Sequence, residues 1–356
     1  MMIRKKVFCN TLAQQRGLDP AGYATELTRL VALETPLPWS AASVKHLPDS
    51  YQPIIQRILS APDPELLLRQ MRLSGMLLIA PEANRRRVGY CRIIVWERVA
   101  DAFAHYTRTE YLLPEVELGA FGWALTFNPE TMPLFEQYRT NADEGVRDFL
   151  VCTHGARDAA CGTFGYPLYR SLKRCATDTA RGRARVWRSS HFGGHEFAPT
   201  VIEFPAGIYW AYVGTEQAAQ IVERTGDIAR LHGHYRGWSG LARGFLQVAE
   251  REILLREGWG WFDYRRAGQI IAQNTASEAS WADVRITFSS PDVQHQGAYT
   301  ARVEVVGHID TPYDTELHEH AEIASPRPPH PQYRVTKLQR VQEKGDQELC
   351  HHQNMS

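Results

Sequence analysis

Long apolar runs are missing from this sequence. A transmembrane helix needs about 18 or more consecutive apolar residues, and no such run occurs among the 356 residues. The opening stretch, MMIRKKVFCN, also lacks the apolar segment of a secretory signal. Cysteine is scarce as well, and six in the whole chain are too few for the disulfide framework of a secreted protein. We therefore expect a cytoplasmic protein without a membrane partner.

Excess charge and nucleotide-binding motifs are also missing. Forty Lys and Arg balance forty Asp and Glu, so the overall charge attracts neither nucleic acid nor an anionic membrane. There is no phosphate-binding Gly-Lys loop, and no Gly-x-Gly-x-x-Gly follows a strand-like run, so nothing supports a bound nucleotide or flavin. Electrons for any redox chemistry would have to come from another protein, such as a flavoprotein reductase.

Two pairs of metal-ligand residues are the most informative feature that is present. Cys152 and Cys161 are separated by eight residues, and His191 and His195 by three. Two adjacent glycines lie between the histidines and disfavour a helix, so we expect both histidines on a loop. Sulfur and nitrogen ligands suit either Zn²⁺ or an iron–sulfur cluster. The wide cysteine loop is unlike the short knuckles of structural zinc sites, which favours a [2Fe–2S] cluster. A Cys152–Cys161 redox disulfide is the remaining alternative.

The segments CTHGARDAACGTFGYPL and SSHFGGHEFAPTVIEFPAG resemble the sucrase/ferredoxin-like family, a branch of the thioredoxin-like ferredoxins. FCNTLAQQRG, near the N-terminus, resembles it more weakly. The resemblance implies that Cys152 and Cys161 bind one iron of a [2Fe–2S] cluster and that His191 and His195 bind the other. It also implies an electron-transfer protein. Because imidazole can take up a proton near neutral pH, we expect reduction to be coupled to proton uptake.

The family's name also mentions sucrase, but glycoside hydrolysis needs two carboxylates that flank the bond, and no acidic pair stands out. We expect a redox carrier without catalytic activity of its own. A cluster-based redox or iron sensor and a structural zinc protein are the alternatives. His154 and Arg157, in the first loop, are candidates for hydrogen bonds to the cluster sulfurs or for proton transfer. Cys9, Cys91 and Cys175 have no partner at metal-binding spacing, and we expect no chemistry from them.

The ligand pairs follow strand-like apolar runs. VRDFLVCTH predicts a strand that delivers Cys152 to its carboxyl end. YPLYRSLKRCA predicts a helix with Pro167 near its start, preceded by a loop that carries Cys161. The resemblance to thioredoxin-like proteins would place His195 near Cys152, so it implies that both pairs lie at one end of a sheet.

The order of these runs predicts an α+β protein. Residues 146–230 follow a β-α-β-β-β-α order, which the resemblance extends to a thioredoxin-like ferredoxin domain with Pro199 in the cis form. Residues 1–145 show a β-α-β-β order without ligand pairs, and one interpretation is a degenerate thioredoxin-like unit. Residues 231–325 are expected to add a helix and strands that pack on the core. Residues 326–356 are expected to be a flexible tail, because ASPRPPHPQYR is rich in proline and charge.

Overall fold

The computed structural model describes residues 8–71, 73–82, 86–140, 145–178, 183–274, 278–311 and 328–341. In these ranges helices and strands are mixed and the strands form two sheets. This confirms the α+β class expected from the sequence. Of the helices in the described ranges, none is both long and apolar enough to cross a membrane.

The helices and strands have the following bounds. The strands are β1 (Arg29–Glu34), β2 (Gly75–Ile79), β3 (Tyr90–Glu97), β4 (Thr107–Pro114), β5 (Arg147–Cys152), β6 (Ala184–Ser189), β7 (Val201–Phe204), β8 (Ile208–Trp210), β9 (Tyr235–Trp238), β10 (Arg265–Gln273), β11 (Trp281–Ser289), β12 (Gln296–Ile309) and β13 (His330–Val341). The α-helices are α1 (Cys9–Gln15), α2 (Gln52–Leu59), α3 (Pro64–Gln70), α4 (Leu118–Phe127), α5 (Ala159–Asp178), α6 (Thr215–Glu223) and α7 (Phe245–Glu257). Short 3-10 segments cover Ser43–His46, Asp49–Tyr51, Glu115–Glu117, Pro129–Tyr138, His195–Phe197, Ile228–His234 and Trp259–Asp263.

The larger sheet joins the N-terminal part of the chain to the part with the ligand pairs. Its strand order among the described residues is β4-β3-β1-β2-β6-β5-β7-β8-β9. The two parts meet where β2 lies antiparallel to β6, and Ile79 pairs with Ser189 there. Beside this pair, the backbone amide of Ser190 donates to the Leu78 carbonyl at 2.8 Å. Strand β5 lies well inside the sheet and is buried along almost its whole length, as expected for a strand covered on both faces.

The two halves of this sheet have the same topology. In the first half β1 and β2 are parallel, β3 is antiparallel to β1, and β4 is antiparallel to β3. In the second half β5 and β6 are parallel, β7 is antiparallel to β5, and β8 is antiparallel to β7. Helices α2 and α3 lie between the parallel strands of the first half, and α5 lies between those of the second. Helix α4 follows β4, and α6 follows β8. The halves meet through their second strands, β2 and β6.

Helix α5 begins earlier than the sequence pattern predicts. Cys161 was expected on a loop with Pro167 near the helix start, but α5 starts at Ala159, so Cys161 lies in its first turn and Pro167 lies inside the helix. The Asp158 carboxylate accepts a hydrogen bond from the Ala160 amide at 2.8 Å and so caps the N-terminus. Buried side chains continue along one face of α5 on both sides of Pro167. This packing offsets the cost of an interior proline.

The expectation of a flexible tail after residue 325 is wrong for residues 330–341. They form β13, which pairs antiparallel with β12 over nearly the full length of both strands. Tyr333, Val335 and Leu338 from β13 pack against the main hydrophobic core, and this burial outweighs the proline-rich composition. Proline is tolerated here because β13 is an edge strand in the order β10-β11-β12-β13. Residues 326–327 and 342–356 of the expected tail lie outside the described residues.

Helix α7 connects the two sheets. It packs against β9 of the larger sheet and against β11, β12 and β13 of the smaller one. The expected helix and strands after residue 231 are therefore present, and they cover the core. Pro199 follows a cis peptide bond, as predicted, and lies just before β7.

Candidate metal centre

Cys152 and Cys161 meet where β5 passes into α5. Cys152 is the last residue of β5, Cys161 lies in the first turn of α5, and each is only 1% exposed. The close approach of helix and strand depends on Gly165, because a Cβ atom there would lie 1.9 Å from the Cys152 carbonyl oxygen. The loop of residues 153–158 is short, so capping and glycine packing hold both thiols at one end of the sheet.

We expect Gly165→Ala to destabilise the fold, although alanine normally favours a helix over glycine. The new methyl group would push α5 away from β5, and overpacking of this kind costs about 1–3 kcal/mol. Urea denaturation followed by circular dichroism measures the change. Gly233→Ala is the control, because that position is exposed and has no atom within 4 Å of an added Cβ. Equal midpoints for the two variants would contradict the packing argument.

His191 reaches the two thiols because β6 runs parallel to β5. In the register of these parallel strands Cys152 pairs with Ser189. The residues that follow β5 and β6 therefore lie at the same end of the sheet. His191 Nδ1 lies 3.6 Å from Cys152 Sγ and 3.6 Å from Cys161 Sγ. The three ligand atoms lie within 4.8 Å of one another. Two thiols and one imidazole are therefore gathered in a group that could hold a metal ion.

His195 is adjacent to this group, but its Nδ1 atom contacts other residues. The rings of His191 and His195 are 6.2 Å apart between centroids. His195 Nδ1 lies 3.0 Å from Cys9 Sγ and 3.2 Å from Asp158 Oδ2. Cys9, Asp158 and His195 thus form a second group of ligand atoms within 4.8 Å of one another. The structure places the four residues singled out in the sequence at one site, divided between two neighbouring groups.

Cys9 lies beside the residues singled out in the sequence, although no spacing in the sequence placed it there. This thiol was expected to have no chemistry, yet it shares a buried cluster with Cys152, Cys161, Ala160 and Ala198. Burial raises the pKa of the Cys9 thiol to about 12, and the nearby carboxylates of Asp158 and Glu196 add to the effect. Spacing along the sequence could not link Cys9 to residues so far along the chain. The one signal for it was the weak family resemblance of FCNTLAQQRG.

The pKa values of the two cysteines of the first group are shifted in opposite directions. Burial alone would raise the pKa of Cys152, but hydrogen bonds from the Cys161 thiol and from His191 hold it well below its ordinary value. The hydrogen bond to Cys152, followed by burial, raises the pKa of Cys161 well above its ordinary value. The lowered pKa of Cys152 favours its thiolate, and thiolate is the form that binds metal.

His154 contacts the site mainly through His191. The His191 amide donates to His154 Nδ1 at 3.3 Å, so His154 Nε2 carries the proton and donates to the Ser40 carbonyl at 2.8 Å. Burial lowers the pKa of His154, which keeps the ring neutral. The His154 backbone amide, rather than its ring, donates to Cys152. Arg157, the second candidate in this loop, is exposed.

Burial across the site is asymmetric. The cysteine side is closed, because Cys9, Cys152 and Cys161 are all buried. The histidine side is more open, because His191 is partly exposed and the His195 side chain is 15% exposed. The three thiols are therefore shielded from water, while the two imidazoles are partly exposed at the surface.

Comparison with known proteins identifies the family. The chain belongs to the sucrase/ferredoxin-like family, whose model matches residues 20–237, more than half of the chain. Two relatives carry the name "Altered inheritance of mitochondria protein 32". One, from Meyerozyma guilliermondii, is 32% identical over 25% of this chain and 33% of its own length. The other, from Debaryomyces hansenii, is 33% identical over 29% of this chain and 37% of its own length. The chain thus spans about a third of these relatives, and no solved structure matches it.

Proposed function

We propose that this protein transfers electrons through one [2Fe–2S] cluster. Cys152 and Cys161 would hold one iron, and His191 and His195 the other. The observation that supports this most is the buried group of two cysteine thiols and one histidine nitrogen within 4.8 Å of one another, with His195 beside it. Thiolate and imidazole together fit an iron–sulfur cluster, which supplies one-electron redox chemistry when bound.

The asymmetric burial supports electron transfer over a purely structural role. The buried cysteine side of the site keeps water from the sulfur ligands, and solvent exposure is one of the factors that set a cluster's potential. The partly exposed His191 and His195 offer a short path to a protein docked at that edge. They also offer ring nitrogens that can exchange a proton with solvent, which supports proton-coupled reduction.

We also propose that each half of the larger sheet is a thioredoxin-like unit. The support is the shared topology, with the strand order fourth-third-first-second and the third strand antiparallel to its neighbours. The halves differ at the end of the first strand, where β1 ends at Glu34 and β5 at Cys152. The N-terminal half would then be a degenerate copy without ligand pairs.

The proposed partner is a redox protein such as a flavoprotein reductase, because the chain has no nucleotide-binding motif of its own. A cytoplasmic location is proposed as well, since the cysteines in the described residues are all free, as in a reducing compartment. The mitochondrial name belongs to the yeast relatives. Two other functions fit the same donor set, namely a cluster-based redox or iron sensor and a structural zinc site.

Electron exchange with proteins tests the proposal. The anaerobic protein is mixed in a stopped-flow instrument with an NADPH-dependent flavoprotein reductase, and then with oxidised cytochrome c. We expect the visible absorption to bleach and recover through several cycles with constant iron content. Loss of iron during cycling would favour a sensor, and a protein without visible absorption that contains zinc would favour a structural site.

A further inference from the structure

A fifth candidate ligand lies beside the four residues singled out in the sequence. Cys9 Sγ is 3.0 Å from His195 Nδ1, and the side chain of Asp158 completes the group. Cys9 is 5% exposed and shares a buried cluster with Cys152 and Cys161. It lies outside the residues 20–237 that the family model matches.

We propose that Cys9 is a reserve ligand, which takes the coordination position of His195 when that imidazole is lost. The inference rests on the proposed function, because it needs a cluster at this site. It adds that five side chains are able to bind the cluster. It also adds that only the His195 position can exchange imidazole for thiolate.

The placement of Cys9 is fixed by contacts that lead to the site. Helix α1 begins at Cys9 and packs against the turn His195–Phe197. The next side chain, Asn10, donates to the Ala198 carbonyl at 2.9 Å, which ties α1 to the end of that turn. Helix α1 therefore holds the Cys9 thiol, and the turn His195–Phe197 holds the histidine that it contacts.

A structural cysteine in the same protein behaves differently. Cys91 is also buried, but its thiol donates to the Glu34 carbonyl at 3.1 Å. That is the ordinary way in which a buried thiol is satisfied. Cys9 instead points at the ring nitrogen of a candidate ligand and lies within 4.8 Å of a carboxylate oxygen. Its environment is that of a metal ligand.

Among the described residues, Cys9 contacts His195, and no such contact to His191 is seen. The sulfur atoms near His191 Nδ1 are those of Cys152 and Cys161, each at 3.6 Å. Both are already ligands in the proposed function, so they cannot replace His191. The two histidines should therefore respond differently to removal, although they are three residues apart in the turn.

The ligand exchange is balanced in atoms and charge. An iron–sulfur bond to Cys9 forms at the position that the iron–nitrogen bond to His195 leaves, and the Cys9 thiol gives its proton to solvent. No electron moves and no oxidant is required. A neutral imidazole is replaced by a thiolate, so the site becomes more negative by one charge and its reduction potential falls.

Four variants of the full chain test the proposal after anaerobic reconstitution with ferrous iron and sulfide. We expect His195→Ala to keep about two irons per chain, with a lower potential and an altered EPR spectrum. The double variant His195→Ala with Cys9→Ala should bind roughly tenfold less iron. His195→Ala with Cys175→Ala is the matched control and should behave like His195→Ala. His191→Ala should lose the cluster although Cys9 is present.

The outcomes separate this inference from the proposed function. Equal iron content in His195→Ala and in its Cys9→Ala double variant would overturn the reserve ligand. Failure of the unmodified protein to bind a cluster would overturn the proposed function itself. Should circular dichroism show that His195→Ala is unfolded, the same comparison is made with His195→Asn. That side chain keeps a hydrogen bond donor facing Asp158, and the same pair of results decides the question.

Discussion

Replacing Cys152 or Cys161 with alanine is expected to abolish cluster binding and to reduce the iron content at least about tenfold. Both thiols are buried on the closed side of the site, and each lies 3.6 Å from the same nitrogen of His191. In the described part of the chain the one further cysteine in this buried cluster is Cys9, which faces His195. Neither Cys152 nor Cys161 therefore has a substitute. Iron and acid-labile sulfide per chain are the quantities to measure.

Cys175→Ala is the control for this first prediction. Cys175 lies in the last part of α5 and is partly exposed, so its loss should leave the iron content unchanged. Circular dichroism of each variant separates the loss of ligands from the loss of fold. Full iron content in both the Cys152→Ala and Cys161→Ala proteins would show that these thiols are not the ligands.

The second large effect is expected from His191→Cys. The variant should keep a cluster, because a thiolate can bind where the imidazole did, but its reduction potential should fall by on the order of 100 mV or more. With an added thiolate the cluster carries more negative charge and accepts an electron less readily. His191 is the better position for this test than His195, because no reserve thiol faces His191. Protein-film voltammetry between pH 6 and 9 provides the measurement.

The same experiment tests proton coupling. If reduction raises the pKa of a ligating imidazole, the potential of the unmodified protein falls with rising pH by up to ~59 mV per pH unit. That slope applies between the pKa of the oxidised form and that of the reduced form. His191→Cys should show a shallower slope, while His232→Ala, an exposed histidine paired with Glu252, should match the unmodified protein. A flat profile for the unmodified protein would argue against proton-coupled reduction.

Local sequence patterns predicted much of the second half of the larger sheet. β5, β6, β7 and β8 each coincide with an apolar run, and α6 with a helical pattern, because strands and helices buried in a core carry their periodicity in the sequence. The start of α5 was harder to predict. Its cap, Asp158, lies ten residues before Leu168, where the apolar repeat begins, and Pro167 between them suggested a helix start.

Contacts between distant segments could not be predicted. The joining of β2 to β6 and the docking of α1 against the turn His195–Phe197 follow from tertiary packing, which leaves no local spacing signal. Cys9 was missed for this reason, since its partner His195 lies 186 residues away. β13 was missed because proline and charge near its start concealed side chains that face the core. Candidate ligand pairs close in sequence were recognisable, and the proposed ligand from a separate element was not.

One measurement tests the central claim most directly. Anaerobically purified protein is studied by visible absorption and EPR before and after dithionite, with iron and zinc quantified in the same sample. The account predicts a red-brown protein with about two irons per chain and an S = ½ signal on reduction. A colourless protein that contains stoichiometric zinc, or one that takes up no cluster after reconstitution with iron and sulfide, would contradict it.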